Sequence, residues 1–259
     1  MVATPPKSGT TWTQAILALL ISGDPEVDAQ TSMKSPWIDM PLRDLAEVMA
    51  RLDAQQHRRQ VKTHTPLDGI PLWPGLRYIT VYRHPIDVHF SMRKHVSNMA
   101  PELATGLMPQ DAGEAFEAFL HGDNMDSACL SSIVQHYRMT LAREPREPLL
   151  RLHYADMLRD LPGNVARIAA HVGLSHPPEL MSRLVEAATF DSMKANAARF
   201  TPSAGQGFWR NDAGFFDSAT SNKWQGRLND AQLAAYDARI AELMGPDDRE
   251  WLEWGSNAG

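Results

Sequence analysis

Cysteine is nearly missing from this chain: Cys129 stands alone among 259 residues. No intrachain disulfide can form, and this usage fits a reducing, cytoplasmic compartment. Cys129 lies in the apolar stretch Ala128-Cys129-Leu130 and reads as a buried structural thiol rather than a nucleophile. Long apolar runs are also missing. None approaches the roughly eighteen residues a membrane-spanning helix needs. No basic region precedes an apolar one at the start, so neither a span nor a signal peptide is expected. Positive charge is in deficit, with 25 Lys and Arg against 31 Asp and Glu and a net charge of −6. That balance excludes a general nucleic-acid binder, and any anionic ligand has to be held by local charge. The ten histidines include no H-E-x-x-H pair and no Cys/His ligand spacing, so no metal is expected. No repeat or linker divides the chain, and 43% hydrophobic residues suffice for one domain over residues 1–259.

What is present is concentrated at the start. Met1-Val2-Ala3 is a short apolar run, followed by Thr4-Pro5-Pro6-Lys7-Ser8-Gly9-Thr10-Thr11-Trp12 and then by the apolar helical stretch Thr13 to Ile21. The pattern reads as strand, tight loop and buried helix. A loop feeding a helix N-terminus offers unpaired amides and the positive end of the helix dipole, a place that binds phosphate or sulfate. Gly9 lets backbone approach an anion, Lys7 adds a point charge, and Ser8, Thr10 and Thr11 add hydroxyls. An ordinary βα turn is the plainer alternative, and the density of donors argues against it. A nucleoside-triphosphate loop requires its lysine after the last glycine. Here Lys7 precedes Gly9 and no glycine comes earlier, which disfavours an ATP-dependent kinase.

Three more stretches read as strands: Gln60 to His64, Tyr78 to Tyr82, and Leu149 to Tyr154. They alternate with helical segments, predicting an α/β fold with a central, mainly parallel sheet, helices on both faces and the anion loop after the first strand. Ligands of such sheets sit at the carboxyl ends of the strands. Each strand here ends on a residue able to do chemistry: Lys7, then Lys62 and His64, then Arg83, then Tyr154. Pro85 suits a helix start, so Arg83 and Ser91 can face one ligand group, whereas Arg93 and Lys94 fall on a solvated face. Lys34 to Pro41 forms a proline-bracketed loop whose Trp37 and Met40 are candidate acceptor-binding residues. A helix is expected from Leu42 to Leu52, others at Ala112 to Leu120, Ser127 to Arg143, Asn164 to Val172, Pro178 to Ala188 and Ala231 to Met244. Asp156 is expected to cap a helix, and Asn229-Asp230 another. Phe200 to Asn222 is expected to be a long loop or lid, and Trp251 and Trp254 to dock the tail on the body.

These residues resemble the soluble sulfotransferases that use 3′-phosphoadenosine-5′-phosphosulfate (PAPS), over nearly the whole chain. Pro6-Lys7-Ser8-Gly9-Thr10-Thr11-Trp12 is similar to that family's 5′-phosphosulfate loop. Lys62-Thr63-His64 with Pro66 resembles its K-T-H-x-P segment. Arg83, Pro85, Asp87, Val88 and Ser91 resemble R-x-P-x-D-V-x-x-S, and Tyr154-Ala155-Asp156-Met157 resembles Y-E-D-M. The resemblance implies that Lys7 to Trp12 hold the 5′-phosphosulfate, that Arg83 and Ser91 bind the 3′-phosphate, and that Tyr154 contacts the nucleotide. Thr189, Phe190 and Met193 are similar to the adenine-side stretch. One stretch departs. Phe215 to Trp224 keeps the aromatic frame of an F-x-R-K-G-x-x-G-D-W loop, but Asp217 and Ser218 stand at the basic pair and Ala219 and Asn222 at glycines. A carboxylate there repels a 3′-phosphate, and Arg210 is the candidate to restore the charge.

The expected reaction is in-line sulfuryl transfer from PAPS, leaving PAP, to a hydroxyl of a small hydrophobic acceptor, an amine being the second choice. His64 is the expected base, since its unperturbed pKa lies near neutrality, and Lys7 and Lys62 steady the departing charge. The alternative in a different class is a PAP- or PAPS-binding module without turnover, suggested by residues 217–219. Acceptor identity and oligomeric state are not encoded legibly.

Overall fold

Alternation along Tyr78-Ile79-Thr80-Val81-Tyr82 decides the architecture, because side chains of a strand point to opposite faces in turn. Ile79 and Val81 bury into a cluster with Ile16, Leu20, Ile168 and Leu184. Tyr82 buries into another with Ile86, Phe116, Ile133, Ile240 and Leu252. Both faces of the sheet are therefore covered, as parallel sheets require.

The structure is a computed structural model that describes residues 1–28, 34–39, 44–71, 73–123, 128–144, 148–216 and 220–256. The strands are β1 (Val2–Ala3), β2 (Lys62–Thr63), β3 (Tyr78–Tyr82) and β4 (Leu149–His153). The helices are α1 (Thr10–Ser22), α2 (Leu45–Asp53), α3 (Pro85–Asn98), α4 (Pro101–Ala104), α5 (Ala112–His121), α6 (Leu130–Arg143), α7 (Tyr154–Arg159), α8 (Leu161–Val172), α9 (Pro178–Ala187), α10 (Phe190–Ala195), α11 (Ala197–Phe200), α12 (Asp230–Leu243) and α13 (Pro246–Trp254). The sheet order is β2-β1-β3-β4, and the paired strands run parallel. Pairing of Ala3 with Thr63 and of Tyr82 with His153 brings the carboxyl ends to one edge. The residues just beyond them, Thr4, His64, Arg83 and Tyr154, emerge there together.

The helix ends follow local chemistry. Gly9 and Gly23 bound α1 in left-handed conformations. Pro85 opens α3, where the His84 ring accepts the Ile86 amide. Asn229 closes a capping box with Gln232 at α12, as expected. Two expectations are corrected. Tyr154 does not end a strand but begins α7, because the His153 side chain caps the Ala155 amide. Asp156 is inside α7 rather than at its cap, and its carboxylate receives the amide and hydroxyl of Ser256. The tail docks through α13, with Trp251 stacked 5.6 Å from Tyr137 and Trp254 set edge-on to His84 at 5.1 Å.

Candidate active site

The loop from β1 to α1 needs two unusual backbone positions, Lys7 at φ 62° and Gly9 at φ 117°. A Cβ on Gly9 would meet Tyr154 Cδ2 at 3.2 Å and Val81 Cγ1 at 3.3 Å, so glycine is required both for its φ and for space. Gly9 gives α1 no side-chain cap, and no acidic residue occupies the first turn. The helix N-terminus thus keeps its positive end for a ligand. Ser8 is buried, and Thr10 shares a 2.5 Å hydrogen bond with Thr4 between their hydroxyls. Thr11 follows on the first turn of α1. The Trp12 indole donates to the Ala188 carbonyl at 2.8 Å and lies edge-on to Tyr154, 5.4 Å between centroids.

Lys7 Nζ lies 2.8 Å from His95 Nδ1 and 4.9 Å from the Phe215 ring centre. Burial, then the charge of Lys7, pushes His95 down to about 2, so its neutral ring accepts the ammonium proton. His64 is on the other side of the loop. Its Nδ1 donates to the Thr4 carbonyl at 2.8 Å, which fixes the tautomer and leaves the Nε2 lone pair available. Burial, then the charge of Lys62, pushes His64 down to about 3. Trp37 sits edge-on to that ring at 4.7 Å and carries Lys62 Nζ over its own ring at 4.5 Å. Trp37 reaches this position because Pro36 to Ile38 pair along the edge of β2, Lys62 N donating to Pro36 O and Ile38 N to Lys62 O.

Arg83 is 4% exposed. One Nη donates to Thr220 O at 2.8 Å, the guanidinium lies 4.3 Å over Tyr154, and Nε stands 3.7 Å from Asp87. Nε is buried without a hydrogen-bond partner among the described residues. Asp87 is fully buried, and its two oxygens accept the amides of Asn222 and Lys223, both at 2.8 Å. Burial pushes this carboxyl upward, against Arg83 and the two amides. Ser91, two turns along α3, lines one cavity with Lys7, Lys94, His95, Trp209 and Phe215. Lys94 is exposed to solvent as expected, yet it borders this cavity.

On the adenine side, Thr189 caps α10, Phe190 meets Phe216 edge-on at 6.1 Å, and buried Met193 packs with Ala15, Ala18 and Phe200 beside Trp12. Arg210 is exposed, and its Nε donates to Met99 O beyond the end of α3, about 12 Å along the helix from Ser91. It is therefore not brought to Arg83. Met40 and residues 217–219 lie outside the described residues. The exposed Trp73 precedes β3, and its amide donates to the Tyr78 hydroxyl, at the strand end opposite the site. Sequence reasoning missed His95 and Asp39. His95 carried a faint signal, one turn beyond Ser91 on α3; Asp39 carried none.

The donors fit an anionic nucleotide. Lys7, Lys62, Arg83 and the α1 N-terminus come to one sheet edge, with Trp12 and Tyr154 as an aromatic flank. Among the described residues no group of three or more His, Cys, Asp or Glu could hold a metal ion, and no helix is long and apolar enough to cross a membrane.

A sulfotransferase-domain family profile matches residues 1–247. The chain is 32% identical to a glycolipid sulfotransferase of Mycobacterium tuberculosis (strain H37Ra), covering 98% of this chain and 87% of that protein. It is 25% identical to rat sulfotransferase 1A1, covering 94% and 84%. Among solved structures, a retinol dehydratase in complex with androsterone and inactive cofactor PAP aligns with a TM-score of 0.75 at 22% identity, covering 95% of this chain and 82% of that one. A mouse sulfotransferase complexed with PAP aligns at 0.75 and 20%, covering 97% and 86%.

Proposed function

We propose that this chain, which belongs to the sulfotransferase-domain family, moves a sulfuryl group from PAPS to a hydroxyl of a small hydrophobic acceptor. The observation that carries the reading is one sheet edge with the α1 N-terminus and Lys7 on one side and a tautomer-fixed His64 on the other. PAPS, when bound, supplies the sulfuryl group and a phosphate leaving group. Lys7, Ser8 and the amides of Thr10 to Trp12 hold the 5′ end. Arg83 and Ser91 hold the 3′-phosphate, and Trp12, Tyr154, Phe190 and Met193 flank the base.

His64 takes the acceptor's hydroxyl proton at Nε2 while its Nδ1–H keeps donating to the Thr4 carbonyl oxygen. Its low basicity is partly Coulombic, from Lys62 and Lys7. Anionic charge placed between those lysines opposes that part and restores basicity where it is needed. Lys7 and Lys62 steady charge on the departing and equatorial oxygens. Trp37 forms an acceptor wall beside His64. An apolar acceptor agrees with the glycolipid of the mycobacterial relative's name and with the retinol dehydratase's androsterone. The single buried cysteine supports a cytoplasmic setting.

The test incubates purified protein with PAPS and a panel of phenols, alcohols and a glycolipid, following sulfated product and PAP release by mass spectrometry. Transfer to at least one hydroxyl is expected. The acidic substitution at Asp217 favours a second reading, a nucleotide-binding module. PAP binding by calorimetry with no transfer across the panel selects that module, and absence of both overturns the two readings together.

A further inference from the structure

The residues on either side of His64 are tied to one carboxylate. Asp39 Oδ2 accepts a hydrogen bond from the Thr63 hydroxyl and another, at 2.5 Å, from the Thr65 hydroxyl. Thr63 Oγ1 in turn accepts the Thr65 amide at 2.9 Å. These three bonds close a loop around the backbone of His64. Hydrogen bonds to an ionised acceptor are roughly twice as strong as neutral ones. The ring of His64 is held separately, by Thr4 O and by the edge of Trp37. Thr63 is fully buried while Asp39 is exposed, so the carboxylate reaches in from the surface and adds nothing to the apolar core. Asp39 is also two residues from Trp37 in the segment that pairs with Lys62. One side chain thus joins the acceptor wall to the turn that carries the base.

We propose that Asp39 is a positioning residue for His64, fixing where Nε2 points relative to the acceptor. The inference rests on the reading of His64 as the base. A base displaced by about 1 Å loses on the order of a hundredfold in rate, whereas the Lys7, Arg83 and Tyr154 cluster on the nucleotide side is untouched by this carboxylate.

Asp39→Ala is expected to lower kcat by about tenfold to a hundredfold, with PAP affinity and the KM for PAPS within about twofold of wild type. Asp39→Asn, whose amide oxygen still accepts, is expected to recover most of the rate. Thr65→Val is expected to lower kcat in part and to add little when combined with Asp39→Ala. A second readout needs no turnover. The His64 Nδ1 proton, identified in proton NMR spectra by its loss in His64→Gln, is expected to exchange with solvent at least about tenfold faster in Asp39→Ala than in wild type or Asp39→Asn. Unchanged exchange in Asp39→Ala, or an Asn variant no better than Ala in kcat, overturns the positioning role. Wild-type protein that transfers no sulfuryl group while the exchange contrast holds leaves the Asp39 geometry standing and overturns the assigned reaction instead.

Discussion

The two sides of the sheet edge are held by different means. On the α3 side, a fully buried carboxylate, Asp87, and a nearly buried guanidinium, Arg83, tie the strand end to Thr220, Asn222 and Lys223. On the Pro36 to Asp39 side, a half-buried tryptophan and an exposed carboxylate do the work, by ring contact and hydroxyl hydrogen bonds. Buried charge makes the first side rigid, since its parts cannot separate without leaving an ion desolvated. The second side can be re-shaped at little cost to folding. An enzyme that keeps its sulfuryl donor and varies its acceptor needs that asymmetry.

Four outcomes would break or sharpen the contrast. The largest is chemical. His64→Ala is expected to lower kcat by about 10²- to 10⁴-fold while calorimetry finds PAP affinity unchanged; full turnover would remove the base from the softer side. Next is Arg83→Met, which leaves Asp87 buried without its cation. A loss of about 3–5 kcal/mol is expected in urea unfolding, and a loss below about 1 kcal/mol would mean the α3 side is no more rigid than the other.

The third concerns acid. His84, among Trp224, Tyr236 and Trp254, is pushed down by burial to about 3 from an ordinary 6.5. Between those values the unfolded chain binds a proton that the folded one refuses, so stability falls as pH drops from about 6.5 toward about 3. His84→Asn keeps a helix-capping oxygen and is expected to flatten that slope by about 1.4 kcal/mol per pH unit, read from denaturant melts at pH 7, 6 and 5. An unaltered slope would show that His84 is protonated when folded. The smallest effect is expected at Trp37→Ala. Losing about 1 kcal/mol of ring contact raises the acceptor KM about fivefold, with PAP affinity unmoved; a fall in PAP affinity would join the two sides that are separated here.

The same asymmetry governs what could be read without a structure. Most of the sheet edge was legible because backbone amides and contiguous side chains make it. Lys7 to Trp12 and Arg83 to Ser91 on one side, and Lys62 to His64 on the other, each sit in one short run, and parallel register brings the runs to one edge. Tyr154 was placed correctly at that edge, although as a strand end rather than as the first residue of α7, since the cap supplied by the preceding His153 ring gives no periodic signal. The acceptor side was legible only as a tryptophan in a proline-bracketed loop. That Pro36 to Ile38 would pair with Lys62, and that Asp39 would reach Thr63 and Thr65, depends on contacts more than twenty residues apart, which no local propensity encodes. Arg210 shows the opposite failure. Its charge was counted from the sequence, but the Phe208 and Arg210 backbone pairs with residues 98–100 and carries the side chain past the end of α3.

The grip of Asp87 on the amides of Asn222 and Lys223 has a consequence in time. Those two protons can be surrendered to deuterated water only when the segment lifts away from α3. Their exchange lifetimes therefore count the openings of the nucleotide-side loop directly, giving the molecule a clock against which the pace of product escape can be set.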